Sequence, residues 1–325
     1  GWCLPGPPGG GGGAPLPFPP SLVNWCSERQ STPLGSTGGD PETKDFGAKP
    51  LFSQDPAENP MFHGWHVVFL RYCDGASFAS AGGAANFLAI LRHLVQLRGM
   101  HDAAEVVVSG CSAGAVAAAL HVGAVRRELQ EAAVGALLDS GVFPDWSRTH
   151  PDGDDPSAPA WERRGEAPPG VWPLHLQLRA VFEGHGVAAA GAVPPDCLQA
   201  FAEAPWRCLF LEHVLPFVRV PSFVAQSRFD SSNVRSLDSP PGLRALGEGV
   251  AWRMDLAAVK NAPRHGLFLD DCFHHCRNWG QIRAGEGGGG PTQPEAFAAW
   301  WRDNVRAELR GSAPRPPRRW DHARP

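Results

Sequence analysis

The segment Gly110-Cys111-Ser112-Ala113-Gly114 has the GxSxG spacing that can present a serine hydroxyl as a nucleophile. Glycine is abundant, with 38 in 325 residues, so about 0.26 such matches are expected by chance and the motif takes its meaning from its neighbours. A β-branched run, Glu105-Val106-Val107-Val108, precedes it, and an alanine-rich run to Leu120 follows. That order predicts a strand, a sharp turn and a helix. The flanking glycines allow the turn to be tight, and the N–H of Ala113 is then placed to meet a developing oxyanion. Such a serine needs a base and a carboxylate to orient it, following in the order Ser, Asp or Glu, His. Asp230 closes the apolar stretch that starts at Ser222 and suits the carboxylate role. Four histidines follow it. His265 precedes a glycine and an apolar triplet and reads as structural, and His322 lies in the C-terminal tail. His274 and His275 sit in a short loop bracketed by Cys272 and Cys276, and spacing does not choose between them.

The elements needed to position these groups are legible in outline. Residues 65–70 (WHVVFL) read as a buried strand. Residues 87–97 (FLAILRHLVQL) space their apolar positions as an amphipathic helix that ends at Gly99. An apolar run at 133–138 enters Asp139-Ser140-Gly141, residues 174–182 read as helix, residues 221–226 as strand, and residues 294–309 as a closing helix with Trp300 and Trp301. Strands alternating with helices indicate an α/β fold with a largely parallel sheet. Residues 4–20 (LPGPPGGGGGAPLPFPP), the Pro/Gly and charged stretch at 148–170, and the Gly-rich 284–292 read as loops, because proline removes a backbone donor and glycine carries too much freedom.

Composition narrows the function classes. Hydrophobic residues are 43% and charged residues 19%, which supports a sizeable core. A net charge of −4 argues against a nucleic-acid partner, and no apolar run is long enough to span a membrane. The chain starts Gly1-Trp2-Cys3 without a methionine or signal-peptide pattern, which suggests that residues before it are missing. Its eight cysteines include no CxxC pair, and the CxxxC of Cys272 and Cys276 has no second ligand cluster to complete a metal site. Disulfides are the expected use.

In combination the motifs are specific. The chain resembles the pectin acetylesterase/Notum family in Gly1-Trp2-Cys3, Asn24-Trp25-Cys26, the RYCDGASF run from Arg71 to Phe78, the GCSAG at 110–114, Asp139-Ser140-Gly141, Phe229-Asp230-Ser231 and Cys272-Phe273-His274-His275-Cys276. The likeness runs from residue 1 to about 310 and implies one α/β-hydrolase-like, three-layer catalytic domain over residues 1–310, with residues 311–325 a basic, disordered tail. It implies a carboxylesterase that needs no metal or organic cofactor. Its family substrate is an acetylated polysaccharide of the pectin type, with a fatty-acyl ester or an inactive glycan-binding homologue as alternatives. It also implies an extracellular or cell-wall location and a monomer. The family pattern CFxHC puts the base at His275 and leaves His274 at a variable position without a catalytic part; the acid falls on Asp230 and the nucleophile on Ser112. The oxyanion donors fall on Gly1, Trp2 and Ala113. The resemblance further implies a strand leading into Gly1 that this sequence does not contain, and Ser231-Ser232-Asn233 stands where pectin-directed members have Ser-Trp-Gln.

Two sets of expectations remain. Cys3–Cys26 and Cys197–Cys208 each flank a segment without regular structure and are expected to be bridged. Cys111 is expected as a buried thiol, because a bridge there would distort the turn at Ser112; the pairing of Cys73, Cys272 and Cys276 stays open. An acidic glycan meeting a chain of net charge −4 calls for local cations, for which Arg71, Arg228 and Arg277 are the candidates. The alternative is that they pair with Asp74, Asp230 and Asp271.

Overall fold

Three consecutive valines favour extended backbone, and in the computed structural model they form the centre of strand β1 (Glu105–Cys111). The structure describes residues 2–5, 25–43, 45, 50–147, 164, 166–171, 173–234, 240–255, 257, 264–276, 282–285, 289–309 and 318–322. Strands β2 (Ala133–Asp139), β3 (Ser222–Ser227), β4 (Gly266–Asp270) and β5 (Arg318–His322) follow, and the sheet runs β1-β2-β3-β4-β5 with every neighbouring pair parallel. Because all strands point the same way, Ser112, Ser140, Asp230 and His275 leave the sheet at one edge, the edge where open α/β sheets place their ligands.

Side chains alternate between two cores, as a pleated strand requires. Val224, Leu267 and Leu269 face a core shared with helices α1 (Ala81–Leu97), α2 (Ala113–Glu128), α3 (Leu174–Gly184) and α4 (Pro240–Met254), through Phe87, Leu91, Val116, Leu120, Leu178, Leu246 and Val250. Phe223 and Phe268 face the other side, where α5 (Gln293–Trp300) and the π-helical turn Trp301–Val305 contribute Phe297, Trp300 and Trp301. Gly135 makes room for this layer: a Cβ there would lie 2.7 Å from the Trp301 ring. The result is the expected three-layer α/β arrangement.

Two expectations fail. Residues 65–70 form no strand, and Val67, Val68 and Phe69 are 43%, 54% and 52% exposed. The segment is anchored at its ends, by Trp65 against Phe62 and by Leu70 against the α1–α2 core, but among the described residues no strand pairs with it. Strand propensity without a hydrogen-bonded neighbour is not enough. Conversely, the tail expected to be disordered supplies β5, where Trp320 pairs with Phe268 in register and packs 5.8 Å from the Phe223 ring. Residues 6–20 and 148–163 lie outside the described residues.

Candidate active site

Ser112 sits between β1 and α2 with φ 60° and ψ −124°, a conformation that costs a non-glycine residue energy and recurs at functional turns. Its N–H is held by the Asp139 carbonyl at 2.9 Å. Gly110 is demanded by the turn, since a Cβ there would fall 2.1 Å from the Gly114 carbonyl oxygen. Gly114 is not: the corresponding space is open. Only the first glycine of the motif therefore has the steric role both were expected to share. The first N–H groups of α2 have no carbonyl one turn back, which leaves the Ala113 N–H at a helix N-terminus beside Ser112.

Trp2 is joined to this turn. Its indole Nε1–H donates to Ser77 Oγ at 2.7 Å, and Ser77 Oγ donates to the Ala113 carbonyl at 2.8 Å. The Trp2 ring also meets Phe143 edge-on at 4.8 Å. Gly1 lies outside the described residues.

Strand β3 ends at Ser227, and the turn after it carries Asp230, which is fully buried. His275 Nδ1 contacts both carboxylate oxygens, at 2.8 and 2.9 Å. Oδ1 also accepts from the N–H and Oγ of Ser232, each at 2.8 Å, and Oδ2 from Gln226 Nε2 at 3.1 Å. With Nδ1 so engaged, Nε2 is the ring nitrogen not used by Asp230. His275 lies beside the turn, because one of its ring nitrogens is within 4.8 Å of the sulfurs of both Cys111 and Cys276.

Those two sulfurs form a disulfide, with the Cα atoms 5.8 Å apart. Cys111 is thus neither buried nor a thiol, contrary to expectation. The backbone strain of the turn is confined to Ser112, while Cys111 stays in β1 in register with Asp139, so the bridge forms within the ordinary Cα range. It ties the residue before Ser112 to the residue after His275. The bridges Cys3–Cys26 and Cys197–Cys208 are present as expected. Cys73 and Cys272 take part in none of the three bridges.

Two further carboxylates lie near the His274–His275 loop. Asp139, at the end of β2, is pushed up to about 6 by burial and by the nearby Asp230 charge, against the Ser140 hydrogen bond and the two histidines. Asp270, at the end of β4, is buried and receives His274 Nε2 at 2.9 and 3.1 Å. Burial alone would lower His274, but its bond to Asp270 and the charges of Asp270, Asp230 and Asp139 raise it. Ser140, with φ 50°, donates to Asp139 Oδ1 at 2.9 Å and accepts the Cys276 N–H at 3.1 Å. Sequence reasoning quoted Asp139 and Ser140 only as part of a motif and passed over Asp270; the one available signal was that each closes a predicted or apolar run.

The proposed cations are mostly engaged elsewhere. Arg71 pairs with Asp40 at 2.9 Å, and Arg228 pairs with Asp271 at 2.8 Å. Arg277 lies outside the described residues. A cleft of about 670 Å³ beside the Asp230 turn is lined by Arg228, Phe229, Arg244, Trp252 and Arg319 among others, and by none of Ser112, Asp230 or His275.

Comparison with known proteins agrees with this arrangement of elements. The pectinacetylesterase family model matches residues 10–154. Pectin acetylesterase 7 of Arabidopsis thaliana is 29% identical over 307 residues, covering 83% of this chain and 71% of that protein. The human palmitoleoyl-protein carboxylesterase NOTUM is 28% identical over 281 residues, covering 78% of this chain and 52% of its own length. Among solved structures, the Wnt deacylase Notum from Drosophila superposes with a TM-score of 0.66 at 20% identity, covering 90% of this chain and 82% of that one. Family match and relatives converge on a carboxylic ester hydrolase similar to the pectin acetylesterases, with the fold of the Notum structure.

Proposed function

We propose that the protein is a serine carboxylesterase in which Ser112 is the nucleophile, His275 the general base and Asp230 its orienting carboxylate. The observation that carries this reading is the doubly hydrogen-bonded Asp230–His275 pair, linked through the Cys111–Cys276 bridge to the strained turn at Ser112. His275 Nε2 takes the Ser112 hydroxyl proton as Oγ bonds to the ester carbonyl carbon, and Asp230 stabilises the imidazolium. The carbonyl oxygen, now negative, is met by the Ala113 N–H, with Gly1 and Trp2 the further donors that the family resemblance implies, each donor being worth about 3–4 kcal/mol. The carbon–alkoxy bond then breaks, the alcohol leaves with the proton from His275, and a water activated by the same ring hydrolyses the acyl-serine. The substrate is an acetyl ester of a polysaccharide, pectin-like, as the names of the plant relatives suggest. Three disulfides support folding in an oxidising compartment outside the cytosol.

Treatment with a fluorophosphonate followed by peptide mapping should place the adduct on Ser112. Ser112→Ala should abolish labelling, and Ser112→Ala or His275→Ala should slow 4-nitrophenyl acetate hydrolysis by about 10³-fold or more. An adduct on another residue would overturn the assignment. Release of acetate from acetylated polygalacturonate, compared with hydrolysis of a long-chain acyl ester, tests the substrate class.

A further inference from the structure

We propose that Asp270 and His274 form a second aspartate–imidazole pair that positions the loop carrying His275 and places a charge beside it. The inference rests on the role proposed above for His275. Asp270 folds the loop back on itself: its Oδ1 accepts the Cys272 N–H at 2.9 Å, and the same carboxylate holds His274 Nε2 four residues on. The His274 carbonyl then accepts the Ser231 N–H at 3.2 Å, next to Asp230. Its backbone therefore sets how the loop bearing the base lies against the turn bearing the acid. His274 is a loop histidine in sequence but a half-buried bracket in space.

The electrostatics follow from what surrounds the ring. Asp139 faces it from β2, Asp230 from the turn after β3, Asp270 from β4, and His275 from the adjacent position. Beyond Asp270, Arg228 and Asp271 form their own ion pair, and the Arg228 N–H donates to the Asp270 carbonyl. Three carboxylates thus share two imidazoles. With both rings neutral the cluster has no positive charge to offset its buried anions, so a proton on His274 is favoured. A positive charge there sits one residue from His275, where like charges repel.

His274→Gln keeps an N–H donor for Asp270 and removes the charge; Asp270→Asn removes the anchor. In the wild-type chain and both variants, the His275 imidazole is titrated by NMR, and kcat/KM for 4-nitrophenyl acetate is followed from pH 5 to 9, with thermal unfolding as the check on folding. His274→Gln should raise the His275 titration midpoint and the acid limb of kcat/KM together, by about 0.5 pH units or more, while the alkaline plateau falls less than about threefold. Asp270→Asn should lower kcat across the range by about tenfold or more. An unmoved His275 midpoint in His274→Gln overturns the proposal. The NMR titration does not depend on turnover, so a failure of the assigned catalytic roles, seen as fluorophosphonate labelling away from Ser112, is distinguished from a failure here.

Discussion

At Gly110 a single hydrogen atom separates a turn that closes from one that does not. A methyl group there would meet the backbone of Gly114, which has no rotamer through which to withdraw. Gly110→Ala should therefore cost about 3 kcal/mol in urea unfolding and most of the esterase activity. Gly114→Ala, with open space at its Cβ, should leave the unfolding midpoint within error. Equal destabilisation by the two would show that the turn is packed differently. The motif alone shows both glycines as equivalent, because spacing records which residues flank the serine and not which backbone atoms they approach. The same limit applies to Cys111. Its partner lies 165 residues away, and nothing local to either cysteine announces that pairing.

The elements were legible where local pattern and tertiary partner agree. The valines of β1, the amphipathic α1 and the aromatic α5 all bury the face their periodicity predicts. Residues 65–70 and 318–322 show the two ways in which that agreement fails. The first has β-branched and aromatic side chains but no paired neighbour; the second, Arg-Arg-Trp-Asp-His, has the wrong composition but meets the free edge of β4. Pairing decides strand formation more than propensity does. Trp320→Ala should thus destabilise the protein by about 2 kcal/mol through lost contact with Phe223, measured by urea unfolding, whereas a disordered tail would register no change. The residues assigned by motif, Ser112, Asp230 and His275, emerge at one sheet edge because they follow strands that run parallel. The carboxylates Asp139 and Asp270 share that edge but lacked a motif to mark them.

Across the whole molecule, Asp145 and Asp139 give stability an opposite dependence on pH. Asp145 is held at about 2: burial acts to raise it, but the His213 hydrogen bond at 3.0 Å, the Ser147 bonds and the charges of His213 and Arg207 prevail. A carboxyl depressed below its unfolded value of 3.8 contributes stability that is present above about pH 4 and lost as pH falls toward 2, on the order of 2 kcal/mol. Asp139, raised to about 6 by burial, acts in the other direction, with stability falling as pH rises from about 4 through 6. His121 and His265, which burial lowers to about 4, contribute stability that grows as pH rises from about 4 toward 6.5 and outweigh Asp139. Unfolding free energy measured by urea titration should therefore be higher at pH 6.5 than at pH 4. Asp139→Asn should steepen the rise between about pH 4 and 6, and Asp145→Asn should remove the loss on the acid side while lowering stability at neutral pH. A profile unchanged in Asp139→Asn would mean that this carboxyl titrates normally.

The Cys111–Cys276 bridge also bears on when the enzyme comes into being. During synthesis the serine is made long before the histidine, and the covalent clasp between their neighbours closes only after the strands between them have been laid down in order. A newly made chain in a reducing compartment carries Ser112, Asp230 and His275 and lacks that clasp. The redox state of the compartment in which the chain folds would thereby decide whether the two ends of the site are joined.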